Sequence, residues 1–400
     1  SNSPPKDRRG DPPPMSRCPT CVRQPLLRAV MATRFVNVWA RRLDHRVLTW
    51  ILVAMSSTVS EAFFLVVVPV TCWCVSLTFG RHMLLLSAAS LFLANVLKNL
   101  LELPRPVDIE VSAAWHTERA YGLPSTHALT AVLLPCYAFL CFPALRTPEW
   151  YAAATLWAAG IAFSRIYLGV HSVPDVVAGV LLGLLLAFGY HFGVEAFADR
   201  SVVAVGDALW GLVPLVLLAG GALCIWLHPD PNPESPTLDE SAVCMGAAVA
   251  TLLCEWWRSW PGSWKLAHIP PDSTGSGLAR FALGMIVLLA VKIVSKKAFM
   301  LLLRPIYSRL PARHAKPLQA ELLAEESSCT GPWSPAVDRW KRAGKKVRVM
   351  VALSHPHWHD MHSTVAEQKW LEVSVKYLSY MLAGIVVLDI APLLFRVIGI

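Results

Sequence analysis

Apolar runs about as long as a lipid bilayer is thick constrain this chain more than any other feature. A helix needs about 20 apolar residues to cross roughly 30 Å of hydrocarbon. Of the 400 residues, 55% are hydrophobic and only 16% are charged, whereas about a quarter are charged in a typical soluble domain. The predicted spans are residues 61–79, 82–101, 127–145, 150–169, 174–197, 202–227, 278–303 and 377–399, with 241–257 a weaker candidate and 47–59 ambiguous. The sequence therefore predicts an all-α fold, a polytopic transmembrane helix bundle of about eight to nine spans.

Charge is distributed unevenly along the chain. The net charge is +9, and basic residues concentrate in an N-terminal tail and in a loop before the last span. Nucleic-acid binding does not explain this charge, because the rest of the chain is apolar sequence of bilayer length. Basic segments beside membrane spans favour a cytoplasmic placement. The predicted organisation is a largely disordered tail over 1–46 with a basic amphipathic helix over 25–46, a membrane domain over 47–305, a basic polar loop over 306–376 and a C-terminal helix over 377–400.

Three polar clusters interrupt the apolar pattern. The first is KNLLELPRP over residues 98–106, the second is PSTH over 124–127, and the third is SRIYLGVHSVPD over 164–175. Lys98, Arg165 and Asp175 lie within or at the edges of predicted spans. Ionisable groups there cost roughly 2.5–3.5 kcal/mol each on insertion and usually mark a functional site.

The clusters contain what a phosphate monoester requires of a binding site. The dianion needs several cations, and Lys98, Arg105 and Arg165 supply three. Arginine offers a planar fork that fits phosphate oxygens, and lysine contributes a compact charge. Ser125 precedes an apolar run and is expected to cap the start of a helix, where backbone N–H groups favour an anion.

The same clusters contain candidates for hydrolysis. A neutral His171 can attack phosphorus if a carboxylate fixes its other ring nitrogen, and Asp175 lies four residues further on. Pro174 is expected to open the next helix. His127 can protonate the leaving alkoxide and then activate water. We expect no metal and no other cofactor, because the three cations supply the positive charge.

The order of the clusters predicts that they meet. Lys98 ends one span, Arg105 and the residues up to His127 fill the following loop, and the span 150–169 returns to the same side with Arg165 and His171. All three clusters are therefore expected at one membrane face.

These motifs resemble those of the type 2 phosphatidate phosphatase (PAP2) superfamily, which includes glucose-6-phosphatase and the vanadium haloperoxidases. The closest resemblance is to the sphingosine-1-phosphate phosphatases, since Thr126 stands where the general pattern has glycine and SRIYLGVHSVPD matches that subfamily. Segments 278–303 and 371–400 also resemble its C-terminal half. The resemblance covers about 80–305 and 370–400, judged by these motifs and segments.

The resemblance implies a PAP2/haloperoxidase-like helical core and an enzyme of the endoplasmic-reticulum membrane with a lumenal site. It implies hydrolysis of sphingosine-1-phosphate through a phosphohistidine, with a lipid phosphate and the bilayer as partners. The implied phosphate-binding residues are Lys98, Arg105, Ser125 and Arg165. The implied catalytic residues are His127 as proton donor, His171 as nucleophile and Asp175 as the residue that orients His171.

Other functions fit parts of the pattern. Another lipid phosphatase, acting on a dolichyl diphosphate or a phosphatidate, would use the same motif residues, as would a phosphotransferase that uses an alcohol in place of water. Intramembrane charges are also found along the ion pathways of transporters, although here they cluster at one face.

The predicted orientation contains a conflict. Two spans before Lys98 would put the basic N-terminus on the face of the site, whereas the charge rule makes the tail cytoplasmic and the resemblance makes the site lumenal. An additional crossing that includes 47–59 would resolve it. If 241–257 does not cross, the basic loop is cytoplasmic while the acidic loop 228–240 remains lumenal.

Two further motifs have the spacing of metal ligands. Cys18 and Cys21 form a single CxxC pair, which is half of a zinc site. His355, His357, His359 and His362 could bind Zn²⁺ or Cu²⁺, but nothing links them to the proposed reaction.

Overall fold

A computed structural model describes residues 20–43, 45–106, 120–195, 211–231, 235–259, 273–308 and 358–400. These residues are helical or irregular and contain no strand, which confirms the all-α prediction. The helices are α1 (Thr20–Ala32), α2 (Arg34–Arg41), α3 (Arg46–Ser57), α4 (Glu61–Val70), α5 (Leu77–Leu101), α6 (Thr126–Cys141), α7 (Pro148–Tyr167), α8 (Val173–Gly189), α9 (Val213–Trp226), α10 (Thr237–Ser259), α11 (Thr274–Tyr307), α12 (Trp358–Ile385) and α13 (Ala391–Ile398). Single π-helical turns follow α4, α8 and α12.

The chain divides into two compact units. The larger comprises residues 16–299 and 375–400 and contains all three polar clusters. The smaller comprises residues 1–15 and 300–374, and within it the hydroxyls of Tyr307 and Ser374 are 2.6 Å apart. The boundaries proposed from the sequence at residues 46, 305 and 376 stay predictions.

Five helices of the described residues are long and apolar enough to cross a membrane. They are Leu77–Leu101, Val173–Val194, Thr237–Ser259, Thr274–Tyr307 and Lys369–Ile398. A sixth span results if α3 and α4, bent by 52°, are counted as one. The predicted count of eight to nine is not confirmed, because helices such as α6, with 16 residues, reach only about 24 Å.

The segment 241–257, interpreted as a weak candidate that does not cross, lies within the 23-residue helix α10. Its apparent weakness came from its short length and from its Ala, Gly and Glu255 residues, and the structure pairs the Glu255 carboxylate with Arg81 of α5 and with Arg258. Arg258 also binds Asp389 at 2.5 Å. Paired charges are tolerated inside a membrane bundle, so Glu255 does not argue against a crossing.

The N-terminal region differs from the predicted disordered tail. Helices α1 and α2 occupy residues 20–41, the region of the expected amphipathic helix, while residues 1–19 lie outside the described part. Asn37 and Ala40 are fully buried in the larger unit, and burial of this kind offsets the entropy lost on ordering the segment.

Helices α6 and α8 approach each other closely at the ends that carry the second and third clusters. A Cβ atom added at Gly179 of α8 would lie 2.4 Å from the main-chain oxygen of Ser125. Small residues permit such close helix packing in membranes. The N–H of Ser125 also donates to the carbonyl of Asp175 at 2.9 Å, so the starts of the two helices are joined directly.

We predict that Gly179→Ala destabilises the protein by about 1–3 kcal/mol, because the new methyl group must displace backbone rather than a side chain. The matched control is Gly189→Ala on the same helix, where an added Cβ meets no atom within 4 Å. Thermal unfolding in detergent should show a lower midpoint for the first variant and an equal or higher one for the second. Equal midpoints for Gly179→Ala and the parent would contradict the close packing.

Candidate phosphate-binding site

Four helix ends bring the predicted site residues together. Lys98 lies in the last turn of α5 and Arg165 in the last turn of α7, while Ser125 precedes α6 and Asp175 lies in the first turn of α8. The remaining three, Arg105, His127 and His171, lie beside these ends in the connecting loops or, for His127, in the first turn of α6. The three clusters therefore meet at one end of the bundle.

The start of α6 has the predicted cap. The Ser125 side chain accepts from the N–H of Ala128 at 3.5 Å, and Ser125 itself is fully buried. Lys98, which is 3% exposed, places its Nζ 3.5 Å from the hydroxyl of Thr126. A lysine cation thus lies beside the backbone N–H groups that begin α6, both of which attract an anion.

The two arginines are each held by a neutral oxygen. Arg105 donates from Nε to the carbonyl of Ala120 at 2.7 Å, which fixes it across the loop that precedes α6. Arg165, which is 5% exposed, donates to the hydroxyl of Ser56 at 2.9 Å. A neutral acceptor orients a guanidinium without cancelling its charge.

His171 and Asp175 are neighbours in a buried environment. The distance from His171 Nδ1 to Asp175 Oδ2 is 3.6 Å, which is longer than a hydrogen bond. The same Oδ2 accepts the N–H of Ser172 at 2.7 Å, and the Asp175 N–H donates to the Ser172 hydroxyl at 3.4 Å. This reciprocal capping box starts α8 at Val173, so His171 lies just outside the helix, as Pro174 predicted.

Gly122 leaves room for the Asp175 carboxylate. A Cβ atom at position 122 would lie 2.9 Å from Asp175 Oδ2. The Gly122 N–H donates to the carbonyl of Leu103 at 2.9 Å, which joins the two ends of the loop between α5 and α6. The carboxylate therefore lies against Gly122, just before the start of α6.

The surroundings of His171 favour its neutral form. Burial lowers the pKa of the imidazole well below 6.5, and the nearby charges of Arg105, Arg165, Lys98 and His127 lower it further. Both causes disfavour an additional positive charge at this position. A neutral imidazole retains the lone pair that a nucleophile needs.

His127 is the most accessible of the three candidate catalytic residues. It is half-buried in the first turn of α6, whereas His171 and Asp175 are 1% and 0% exposed. It lies two residues after Ser125, whose N–H donates to the carbonyl of Asp175 at 2.9 Å, so both imidazoles lie beside the same pair of helix starts. A partly exposed histidine beside a buried one suits proton exchange with a leaving group or with water.

Possible metal ligands lie away from this site in the described residues. The ligand atoms of Cys141, His191 and Glu195 lie within 4.8 Å of one another at the opposite ends of α6 and α8, roughly 20 Å away along the helices. His191 and Glu195 already pair at 2.8 Å. Cys18 and the side chains of Cys21 and of the four-histidine cluster lie outside the described part.

The structure adds residues that sequence reasoning missed. Ser172 could have been found, since Ser-x-x-Asp is the pattern of a capping box. Ser56 and Asn37 give no such signal, because their partners are distant in sequence and leave no local pattern. Ser56 binds Arg165, and the Asn37 side chain donates to the carbonyls of Ile166 and His171.

The structure does not confirm the extra crossing that was proposed to include 47–59. Helix α3, with 12 residues, is shorter than a span, and it counts as part of one only if it is joined with α4 across their 52° bend. It begins at the site end, where Thr49 contacts Tyr167 at 2.8 Å, and α4 leads to the opposite end, from which α5 returns. Helices α1 and α2 therefore lie at the same end of the bundle as the site.

We predict that the imidazole of His171 titrates well below pH 6.5 in the substrate-free protein, and that Arg105→Gln raises its pKa because one of the charges that oppose protonation is removed. Histidine-labelled protein in detergent, with the His171 resonance assigned by loss in His171→Ala, gives the measurement by NMR. Arg146→Gln, beyond the far end of α6, is the control and should leave the titration unchanged. A midpoint at or above 6.5 in the parent would be incompatible with the buried cationic environment.

Comparison with known proteins finds a family match over the part of the chain that holds the site. Residues 79–197 match the family described as the PAP2 superfamily, and all seven site residues fall within that range. A solved structure, a transmembrane PAP2-type phosphatidylglycerolphosphate phosphatase from Bacillus subtilis, is 25% identical, with a TM-score of 0.37, and covers 45% of this chain and 94% of its own.

Two curated relatives carry related names. A probable sphingosine-1-phosphate phosphatase of Dictyostelium discoideum is 27% identical over 49% of this chain and 50% of its own length. A dihydrosphingosine 1-phosphate phosphatase of Schizosaccharomyces pombe is 24% identical over 74% of this chain and 73% of its own. The chain thus spans about half the length of the first and about three quarters of the second. The part of the chain that matches the PAP2 superfamily thus holds the three motifs from which the resemblance was predicted.

Proposed function

We propose that this chain is an integral membrane lipid phosphate phosphatase that hydrolyses sphingosine-1-phosphate and related sphingoid-base phosphates. The observation that carries the proposal is a buried histidine, His171, that lies 3.6 Å from a buried carboxylate and within the field of three cationic side chains. A phosphate monoester carries two negative charges, which these cations attract.

Substrate binding rests on charge and on the helix start. Lys98, Arg105 and Arg165 neutralise the dianion, and the first N–H groups of α6 beyond Ser125 add donors to its oxygens. Because phosphoryl transfer depends mainly on positioning and on stabilising charge at the equatorial oxygens, these four elements account for much of the catalysis.

The first chemical step forms a phosphohistidine. The Nε2 lone pair of neutral His171 attacks phosphorus, and the bond from phosphorus to the lipid oxygen breaks. His127 donates its proton to the departing alkoxide, which leaves as the sphingoid-base alcohol. Asp175 stabilises the positive charge that develops on the His171 ring, with the 3.6 Å contact shortening in the substrate complex.

The second step returns the enzyme to its starting state. His127, now neutral, takes a proton from a water molecule as that water attacks phosphorus. The bond between phosphorus and Nε2 breaks, His171 recovers its lone pair, and inorganic phosphate leaves. The proton that His127 gave to the alcohol is thereby restored, and the sum of both steps is hydrolysis of the ester.

We propose that this cycle needs no metal ion. A divalent cation in other phosphatases neutralises phosphate charge and orients oxygens. Here Lys98, Arg105 and Arg165 supply three positive charges at the same place, and an Nε2 nucleophile does not require a metal-bound hydroxide.

We infer the sphingoid-base tail of the substrate from the similarity to the two curated phosphatases and not from the geometry of the site. The motif residues are suited to the phosphate group, which all lipid phosphates share. A dolichyl diphosphate, a phosphatidate, or transfer of the phosphoryl group to an alcohol would use the same seven side chains, so a substrate panel must decide between them.

We predict that the purified protein in detergent releases phosphate from sphingosine-1-phosphate in EDTA, that vanadate inhibits it, and that His171→Ala lowers kcat at least about 1,000-fold. His191→Ala, at the other end of α8, is the matched control and should retain activity within about twofold. The assay measures phosphate release across sphingoid-base phosphates, phosphatidate and dolichyl diphosphate.

Two results would reject the proposal. A strict Mg²⁺ requirement, or full activity in folded His171→Ala, would exclude the mechanism. Preference for phosphatidate or for a diphosphate would keep the mechanism and change the substrate.

We propose further that the protein is in the endoplasmic-reticulum membrane with the site facing the lumen. Helices α1 and α2 then share the lumenal side, despite the basic charge that favours the cytoplasm.

We predict that an N-glycosylation acceptor inserted into 228–240 is modified. This loop lies at the site end of the bundle, since the side chain of Asn99, one residue after Lys98, bonds the carbonyl of Pro229 in it. The same acceptor in the loop 142–147, at the opposite end of the bundle, should stay unmodified, and modification only at that second position would reverse the orientation.

A further inference from the structure

The N-terminal helices contact the site through a buried amide. Asn37 of α2 is 0% exposed, and its Nδ2 donates to the carbonyl of His171 at 2.9 Å and to that of Ile166 at 3.1 Å. These two carbonyls lie at either end of the short loop that joins α7 to α8. One side chain thus fixes both ends of the loop that presents His171.

Besides the Asn37 amide, the loop has further restraints, among them the bond from the Ser172 N–H to the Asp175 carboxylate. The N–H groups of Val170 and His171 both donate to the carbonyl of Arg165 at 3.2 Å, and Gly169 takes a positive φ of 69°. These bonds close the turn around Arg165. The Asn37 amide holds the His171 carbonyl from outside the loop. This contact therefore fixes the position of the His171 main chain, from which the imidazole extends.

A second contact acts on the other side of the site. Arg23 of α1 donates from Nε to the carbonyl of Leu101 and from its terminal nitrogen to that of Glu102, each at 3.3 Å. The last carbonyls of a helix lack partners within it, and a cation there also complements the helix dipole. Helix α5 ends at Leu101, three residues after Lys98, so Arg23 anchors the turn that carries this lysine.

We propose that residues 20–41, which lie outside the matched range 79–197, form a clamp that completes the phosphate site. In this clamp Asn37 is the positioning residue for His171, and Arg23 is the positioning residue for Lys98. Neither side chain touches the substrate. The inference rests on the proposed function, in that His171 is the nucleophile and Lys98 a phosphate ligand.

The test uses the full chain with Asn37→Leu, which keeps the approximate volume and removes both donors. Misplacing a nucleophile by about 1 Å can cost 100-fold, so we expect kcat to fall roughly 10- to 100-fold while KM changes less than about threefold. Val38→Ala is the matched control, because the neighbouring side chain is 46% exposed on the outer side of α2. A purely structural role would lower the thermal midpoint and leave kcat per folded molecule unchanged, and that result would overturn the proposal.

Arg23→Gln is the second variant and separates the two arms of the clamp. Because Lys98 binds the phosphate rather than reacting with it, we expect KM to rise several-fold with a smaller change in kcat. An unchanged KM in folded Arg23→Gln would show that Arg23 does not position Lys98.

A readout without substrate separates failure of this inference from failure of the proposed function. Hydrogen exchange of the amides in the peptide spanning 166–173 should be faster in Asn37→Leu and unchanged in Val38→Ala. If His171→Ala keeps full activity but the exchange result holds, the proposed function fails and the clamp stands. If exchange is unchanged in Asn37→Leu, the clamp is wrong whatever the chemistry of the site.

Discussion

The site depends on Asp175, which joins two helix starts and the histidine loop. Its main-chain carbonyl accepts the N–H of Ser125, and its carboxylate accepts the N–H of Ser172 while lying 3.6 Å from His171 Nδ1. One residue therefore fixes the beginning of α6, the beginning of α8 and the surroundings of the imidazole. The absence of a side chain at Gly122 and Gly179 lets the backbone approach closely enough for these contacts.

The cations of the site each contact a neutral oxygen. Lys98, Arg105 and Arg165 bond oxygens of Thr126, Ala120 and Ser56 respectively. Such bonds orient the cationic groups. At the opposite end of the bundle, Arg81 and Arg258 pair with Glu255 and Asp389. These ion pairs join α5 and α10 to the C-terminal helices, and Glu255, Arg258 and Asp389 lie outside the range 79–197 that matches the superfamily.

The sequence was sufficient for the motifs and for the helix starts that carry them. Ser125 and Pro174 lie where capping rules predicted, and the three clusters meet because their order places them at alternating ends of successive helices. The span count and the packing of the N-terminal helices against the site could not be predicted, because they depend on distant pairs. In the sequence Glu255 is an isolated charge in an apolar segment, and only the structure shows Arg81 beside it. Asn37 bonds two main-chain carbonyls 129 and 134 residues away, and a main-chain carbonyl leaves no signal in the sequence.

The proposed mechanism requires a covalent phosphohistidine, and trapping this intermediate tests the mechanism directly. The protein is mixed with substrate labelled in its phosphate group, quenched rapidly at alkaline pH, digested and analysed by mass spectrometry. We predict a phosphoryl group on His171 in the parent protein and none in His171→Ala. Turnover without label on His171, or label on another residue, would contradict it.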